Sequence, residues 1–323
     1  MHQHRREAEV SMALYDTGYT FSSRKYLLGP MSISKRGRIK KMLSGGSDMM
    51  CTIIPYTPDQ KDKVTTLIDA PFVTEDFLGC LDEFPDCGLL AMEKGDIVGA
   101  AVFTGKNDIT SFTLYVGTSY RERGVGTKLL RELEKNMRSS AVKEIYCDFQ
   151  EDPNPSSFVE KNGYPLQFQS SLMTFQGADA ALSDQRIRLY EDQDYEAVRD
   201  ILYRAFQKMR KLVGLPLKEA PKSREEKEKY LENRTSIFVL EEESIIKGCI
   251  FLDGHEIDKL AVEPEEEGKG YGKALLAAGV KNIQTHHKEA ALWVVQGNPA
   301  EKLYRSFGFQ RKRLHCFHKK ILS

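Results

Sequence analysis

Two segments of the chain share one pattern of apolar and polar positions. In each segment a short apolar run precedes a glycine turn, and an amphipathic stretch with helical spacing follows the turn. The apolar runs are residues 112–116 and 257–262, and the turns are Gly124-Val125-Gly126 and Gly270-Tyr271-Gly272. The glycines of the two turns lie about 146 residues apart. The pattern therefore predicts two strand, turn and helix units that repeat along the chain.

The repeat extends to both sides of the glycine turns. A short strand opens each half, at 52–56 and 186–190, and a β-hairpin follows in each half, at 89–103 and 237–252. Downstream, Asn154-Pro155 matches Asn298-Pro299, and Asn162-Gly163-Tyr164 matches Phe307-Gly308-Phe309. We therefore predict a mixed α/β fold in two tandem domains, 51–176 and 186–323. A small, polar segment at 177–185 is predicted to link them.

Composition and charge limit the possible partners. Of 323 residues 41% are hydrophobic, and 47 basic side chains balance 47 acidic ones. This composition is typical of a folded, soluble protein, and its neutral charge gives no general case for nucleic-acid or membrane partners. The six cysteines lack paired metal-site spacing, and without a signal peptide they indicate reduced thiols in the cytoplasm. Residues 1–48 carry an excess of Lys and Arg and are interpreted as a disordered or non-native leader.

The glycine turns are candidate phosphate sites. Glycines between a strand and a helix expose backbone N–H groups at the positive end of the helix, which suits a phosphate or pyrophosphate. The spacing does not fit a Walker A loop, and Leu129 and Leu275 stand where a dinucleotide fingerprint requires a third glycine. From the residues alone, an ordinary tight turn stays the alternative.

A more specific resemblance rests on the residues around these turns. The pattern Arg/Gln-x-x-Gly-x-Gly/Ala after a strand resembles the acetyl-CoA pyrophosphate loop of the GNAT superfamily of N-acetyltransferases. The sequence Arg121-x-x-Gly124-x-Gly126 fits it, whereas the second copy has Glu267 in place of the Arg or Gln. The strand at 260–262 and the segment 298–309 are similar to later parts of the same fold. The resemblance covers about 51 to 323 as two tandem copies.

The resemblance implies acetyl-CoA as co-substrate and no metal. In the second copy it implies a strand that holds the pantetheine and thioester, a phosphate loop and a downstream asparagine. These positions are Leu260, Ala261, Val262, Gly268, Lys269, Gly270, Tyr271, Gly272, Lys273 and Asn298. In the first copy the matching loop positions are Arg121, Arg123, Gly124, Val125, Gly126 and Thr127.

Acetyl transfer to an amine also requires a base, because a lysine-like amine has a pKa of about 10.4 and is protonated at neutral pH. The resemblance implies Glu256 for this role, with Asp258 as the alternative because strand alternation places it on the same face. Tyr304 matches a tyrosine that lies near the CoA sulfur, where it would hydrogen-bond the developing thiolate. A solvated strand-end carboxylate and a tyrosine packed in the core stay the plainer interpretations. Trp293 is interpreted as a core residue.

The first copy departs from this set. Counting back one repeat gives Thr110 and Phe158 at the positions of Glu256 and Tyr304, although the first glycine loop is the more basic. We therefore expect the second half to catalyse and the first to bind CoA nonproductively or to be structural. The implied function is acetyl transfer from acetyl-CoA to a primary amine of a small molecule or peptide. The alternative is a non-catalytic CoA-binding regulatory or scaffold protein on the same fold.

Overall fold

Two compact units make up the described part of the chain. The computed structural model describes residues 51–68, 71–104, 108–140, 142–151, 153–177, 184–217 and 223–322. Within these, the N-terminal unit contains 51–166 and 317–322, and the C-terminal unit contains 167–316. The leader predicted at 1–48 and most of the linker predicted at 177–185 lie outside the described residues.

The N-terminal unit alternates strands with helices in the predicted order. Its elements are β1 Thr52–Pro55, α1 Lys61–Leu67, α2 Pro71–Glu83, β2 Gly88–Glu93, β3 Asp96–Phe103, β4 Ile109–Val116, α3 Val125–Ser139, β5 Glu144–Gln150 and α4 Pro153–Lys161. Strands β1 to β4 form an antiparallel meander, and β4 pairs with β5 in parallel. The parallel pair is the point at which the helix α3 crosses over the sheet.

The C-terminal unit repeats this arrangement. Its elements are β6 Leu166–Phe175, β7 Ile187–Leu189, α5 Tyr195–Leu212, α6 Arg224–Glu232, β8 Ile237–Glu242, β9 Ile245–Asp253, β10 Glu256–Val262, α7 Tyr271–Gln284, β11 Ala290–Val295, α8 Ala300–Phe307 and β12 Gln310–Ile321. Strands β7 to β10 are antiparallel neighbours, and β10 pairs with β11 in parallel. The predicted mixed α/β fold is confirmed in both halves.

The two predicted hairpins form with tight turns. Lys94 and Gly95 have φ values of 54° and 90°, and Glu243 and Ser244 have φ values of 52° and 62°. Positive φ at both central residues is the geometry of a type I′ turn, whose twist matches that of the flanking strands. The turns therefore set the strand register from which the later elements of each half follow.

The core of the C-terminal unit lies on both faces of its sheet. On one face, Leu275, Leu276 and Val280 of α7 pack with Ile257 of β10 and other strand residues. The helical spacing of these leucines and the valine is the stripe that the sequence shows. On the other face, residues of α5 and α6 pack against β8, β9 and Ala261. Strand β10 is therefore held from both sides, which fixes the position of its backbone.

Each unit takes its last strand from the other half of the chain. Strand β6, which closes the first sequence repeat, pairs with the whole of β11, from Ala290 opposite Phe175 to Val295 opposite Ser170. The end of β12 belongs to the N-terminal unit, where the Lys320 ammonium hydrogen-bonds Glu134 at 2.7 Å. The compact units thus divide after residues 166 and 316, and the domains at 51–176 and 186–323 stay a prediction from the sequence repeat.

Candidate active site

The site begins where β10 and β11 separate. The two parallel strands pair at Glu256–Ala291 and Ile257–Leu292, and the ladder between them stops there. Strand β10 continues to pair with β9 as far as Val262, so its backbone groups on the β11 side are left facing a gap. A β-bulge between Ile257 and Lys259 lies at the point of separation, and bulges bend a strand and increase its twist.

A cavity of about 490 Å³ occupies this gap within the C-terminal unit. Strand β10 contributes Leu260, Ala261 and Val262, and the glycine turn contributes Gly268, Gly270, Tyr271, Gly272 and Lys273. The far side is formed by side chains of α5, β11 and α8, together with Asn298. The volume lies within the range of about 300 to 1,000 Å³ that is usual for small-molecule sites.

The glycine turn presents backbone amides to this cavity. Gly268 and Gly270 have φ values of +83° and +88°, and a Cβ built on either would have no atom within 4 Å. Gly270 is the N-cap of α7, and its carbonyl oxygen accepts the first helical bond from Ala274 N–H at 3.0 Å. The N–H groups that follow Gly270 have no acceptor within the helix, as at every helix N-terminus. This end of the cavity is suited to an anion.

Three of the four acidic residues in the segment 263–267, just before this turn, pair with cations. Arg204 Nε lies 3.0 Å from Glu263 Oε1, and Lys208 Nζ lies 2.7 Å from Glu267 Oε2. Glu266 accepts hydrogen bonds from Lys247 at 2.9 Å and from Lys269.

The two lysine hydrogen bonds lower the pKa of Glu266. The acidic side chains of the second glycine loop would repel a phosphate. Cations of α5 and β9 compensate the negative charge of three of them. Sequence reasoning did not assign Arg204, Lys208 and Lys247 to this loop. Their distance from the loop along the chain gives no local signal.

The remaining predicted loop residues are held in different ways. Lys269 does not line the cavity, and its ammonium pairs with Glu266. Tyr271 lines the cavity while its hydroxyl donates to Glu242. Lys273 is exposed on the first turn of α7 and lines the cavity. Asn298 lines the cavity, and its side-chain oxygen accepts from the N–H of Ala300, the first residue of α8, at 3.0 Å.

The two predicted catalytic side chains lie at different depths. Tyr304 lines the cavity and is 4% exposed, and burial raises the pKa of its hydroxyl well above the ordinary value. Tyr304 therefore belongs both to the core and to the wall of the cavity.

Glu256 is half-buried at the start of β10, and neither Glu256 nor Asp258 is among the described residues that line the cavity. Asp258 lies in the bulge, 3.2 Å from Lys259 Nζ.

The first glycine turn has the same backbone conformation, but its two arginine side chains bind other residues of the N-terminal unit. Gly124 is the N-cap of α3 with a φ of +83°, and Val125, Gly126 and Thr127 form the first turn of that helix. Arg121 donates to the carbonyl oxygen of Val116 at 3.0 Å. Arg123 lies 2.7 Å from Glu93. Both arginines that would attract a phosphate are therefore engaged inside the N-terminal unit.

Strand register corrects the counterpart of Glu256 in the first half. Val262 lies opposite Gly248 in the same way that Val116 lies opposite Gly99. The bulge adds one residue to β10, so the residue that corresponds to Glu256 is Ser111 rather than Thr110.

The counterpart of Tyr304 also shifts by one residue. The carbonyl oxygen of Tyr304 accepts from Phe309 N–H at 2.9 Å, and that of Val159 accepts from Tyr164 N–H at 3.0 Å. Tyr304 therefore corresponds to Val159, whereas Phe158 packs on its glycine turn as Leu303 does. The first half still carries neither a carboxylate nor a tyrosine at the two positions.

Two kinds of feature are missing from the described residues. No helix among them is long and apolar enough to cross a membrane. No group of three or more His, Cys, Asp or Glu side chains in the described ranges is placed to hold a metal ion.

Comparison with family models gives the class of protein. The model of the acetyltransferase (GNAT) family matches residues 56–164, and that of the acetyltransferase (GNAT) domain matches residues 233–311. Together the matches span more than half of the chain. The chain belongs to the GNAT superfamily and contains two of its domains in tandem, which makes it an N-acyltransferase by family.

Solved structures share this fold at low sequence identity. A GCN5-related N-acetyltransferase from Sphaerobacter thermophilus is 19% identical with a TM-score of 0.56, over 84% of this chain and 95% of that one. A tandem GNAT protein from the clavulanic acid biosynthesis pathway is 14% identical with a TM-score of 0.55, over 84% and 98%. A glucosamine N-acetyltransferase region of a fungal β-N-acetylglucosaminidase is 15% identical with a TM-score of 0.57, over 88% and 40%. No curated protein matches the chain.

Proposed function

We propose that the C-terminal unit is an N-acetyltransferase that moves an acetyl group from acetyl-CoA to a primary amine. The observation that carries the proposal is the cavity that connects the glycine turn, Leu260 to Val262 of β10 and Tyr304. These three features supply an anion site, backbone hydrogen-bonding groups and a hydroxyl donor in one place.

The residues present fit acetyl-CoA. The open backbone at Gly268 and Gly270 leaves room for a pyrophosphate against the first amides of α7. The backbone of Leu260 to Val262, which β11 does not pair, would hydrogen-bond the pantetheine chain. When bound, acetyl-CoA supplies an activated thioester that an amine attacks directly.

The chain's own groups then act on charge and protons. The amide of Leu260 would stabilise the oxyanion that forms at the thioester carbonyl, and one such preorganised donor contributes about 3 to 4 kcal/mol. Tyr304 stays protonated because burial raises its pKa, so its hydroxyl would donate a hydrogen bond to the departing thiolate. Glu256 would accept the amine proton through a water molecule, since its side chain lies outside the cavity lining.

Under this proposal the N-terminal unit does not catalyse. Ser111 and Val159 at the two corresponding positions provide no base and no thiolate donor. The unit keeps the glycine turn at Gly124, so nonproductive CoA binding and a purely structural role stay its two alternatives.

An acetyl-transfer assay with acetyl-CoA and a panel of primary amines tests the proposal, with thiol release as the readout. We expect Glu256→Gln to lower kcat by about 100-fold, while Asp258→Asn has a smaller effect. Tyr304→Phe should lower kcat without changing the affinity for acetyl-CoA. Transfer at the wild-type rate by the Glu256 and Tyr304 variants would remove both roles. Tight CoA binding without transfer to any amine would support a non-catalytic CoA-binding protein instead.

A further inference from the structure

One wall of the cavity is apolar and belongs to helix α5. Phe206, Met209 and Leu212 recur three residues apart on this helix, and all three line the cavity. Trp293 and Val295 of β11 line it as well. This wall is apolar, whereas the glycine turn presents backbone amides and ion pairs to the cavity.

Helix α5 is fixed beside the glycine turn. Its Arg204 and Lys208 pair with carboxylates of the turn, and Val213, just after its last residue, lies 3.7 Å from the position that a Cβ of Gly297 would take. The helix therefore reaches from the glycine turn to the loop before α8. Leu212 is 60% exposed although it lines the cavity, so an apolar side chain stands at the solvent-facing end of this wall.

The carboxylates that border the cavity are already paired. Among the described lining residues these are Glu266 and Glu267, both on the glycine turn. Glu266 pairs with Lys247 and Lys269, and Glu267 pairs with Lys208. A second ammonium group on a bound amine would therefore meet apolar side chains and Lys208, and an uncompensated charge in such a place is strongly disfavoured.

We propose that the acceptor is a primary amine with an apolar body, aromatic or branched aliphatic, held between α5 and β11. This inference rests on the proposed function, because it assigns the acceptor side of the same cavity. It excludes polyamines and lysine-rich peptides as good acceptors, since these carry further positive charges into the apolar wall.

The structure supplies a binding probe that does not need catalysis. Trp293 is the only tryptophan in the chain and lines the cavity, so its fluorescence reports occupancy of the apolar wall. The full chain with CoA present would be titrated with two reaction products, N-acetyl-2-phenylethylamine and N-acetyl-1,4-diaminobutane. We expect the aromatic product to bind at least about tenfold more tightly than the product that keeps an ammonium group.

Leu212→Glu and Leu217→Glu form a matched pair of variants. Leu217 is 63% exposed, like Leu212, but does not line the cavity. Leu212→Glu should weaken the aromatic product about tenfold, and Leu217→Glu should leave its affinity unchanged. Equal effects of the two variants, or tighter binding of the ammonium product by the wild type, would overturn the inference.

An acetyl-transfer assay with 2-phenylethylamine and 1,4-diaminobutane then separates the two proposals. Transfer to both amines with no preference for the aromatic one would overturn the acceptor class and leave the proposed function standing. Preferential binding of the aromatic product without transfer to either amine would refute the proposed function. The apolar wall would then stand only as a binding site for apolar amides.

Discussion

Alanine at Gly270, compared with alanine at Gly124, tests which half of the chain binds acetyl-CoA. Both glycines are helix N-caps with nearly equal φ values, +88° and +83°, and neither has an atom within 4 Å of the position that a Cβ would take. A non-glycine residue in this left-handed region costs about 1 to 2 kcal/mol. Lower entropy of the unfolded chain offsets about 0.4 to 1 kcal/mol of that cost. Each variant should therefore lose about 1 kcal/mol of stability.

The two variants should differ in binding. The new Cβ of Gly270→Ala would stand in the turn that borders the cavity, where the pyrophosphate is proposed to lie. We expect its affinity for acetyl-CoA to fall at least about tenfold, which corresponds to about 1.4 kcal/mol. Gly124→Ala should leave the affinity of the second glycine turn unchanged, and the number of acetyl-CoA molecules per chain decides between nonproductive binding and a structural role for the N-terminal unit. Calorimetric titration measures affinity and stoichiometry together, and denaturant unfolding checks that the stability losses match.

Two outcomes would refute this reasoning, and a third would decide the role of the N-terminal unit. Wild-type affinity in Gly270→Ala would remove the second glycine turn from the site. Loss of binding only in Gly124→Ala would assign acetyl-CoA to the N-terminal unit. Two acetyl-CoA molecules per wild-type chain, each lost with one variant, would show that both turns bind.

Other predictions concern charge, packing and pH. Lys208→Ala removes the cation that pairs with Glu267 beside the proposed phosphates. The affinity for acetyl-CoA should therefore fall about fivefold at low salt and less at high salt. An equal loss of affinity at both salt concentrations would contradict the electrostatic cause. Gly248→Ala places a Cβ 2.7 Å from a backbone carbonyl oxygen and should destabilise by about 1 to 3 kcal/mol in denaturant unfolding, whereas a change below about 0.5 kcal/mol would contradict this close packing. Burial by itself raises the pKa of Asp194, but hydrogen bonds, chiefly from Arg188, outweigh burial, so the pKa in the folded protein lies below its ordinary value. Its contribution to stability is therefore present above the unfolded pKa of about 3.9, and the stability gap between wild type and Asp194→Asn should close as pH falls below that value.

Local signals predicted most of the fold. The two type I′ hairpins, the αL glycine before each crossover helix and the leucine stripe of α7 all depend on residues close together in sequence. The bulge at Asp258 has no such signal, because it depends on how β9 and β10 align over their whole length. For this reason the repeat count misplaced the counterpart of Glu256 by one residue.

The site was predicted in part for the same reason. The glycine turn and the Leu260 to Val262 strand carry family motifs, and both line the cavity. The sequence favours a core position for Trp293, because an aromatic residue on an apolar strand does not show whether the neighbouring strand diverges. The cations of α5 and β9 that compensate the acidic turn come from positions whose approach only the tertiary fold determines.

The crossed last strands have a consequence for synthesis. The first segment of the N-terminal unit ends at residue 166, but the unit also needs Lys320 for Glu134 and the backbone of Leu322 for Lys143. At about 5 to 20 residues per second, the ribosome needs roughly 8 to 30 s to make the intervening stretch. For that time Glu144 of β5 lacks its partner Lys319, and this edge of β5 stays uncovered on the nascent chain. The half of the protein that is made first is thus completed last.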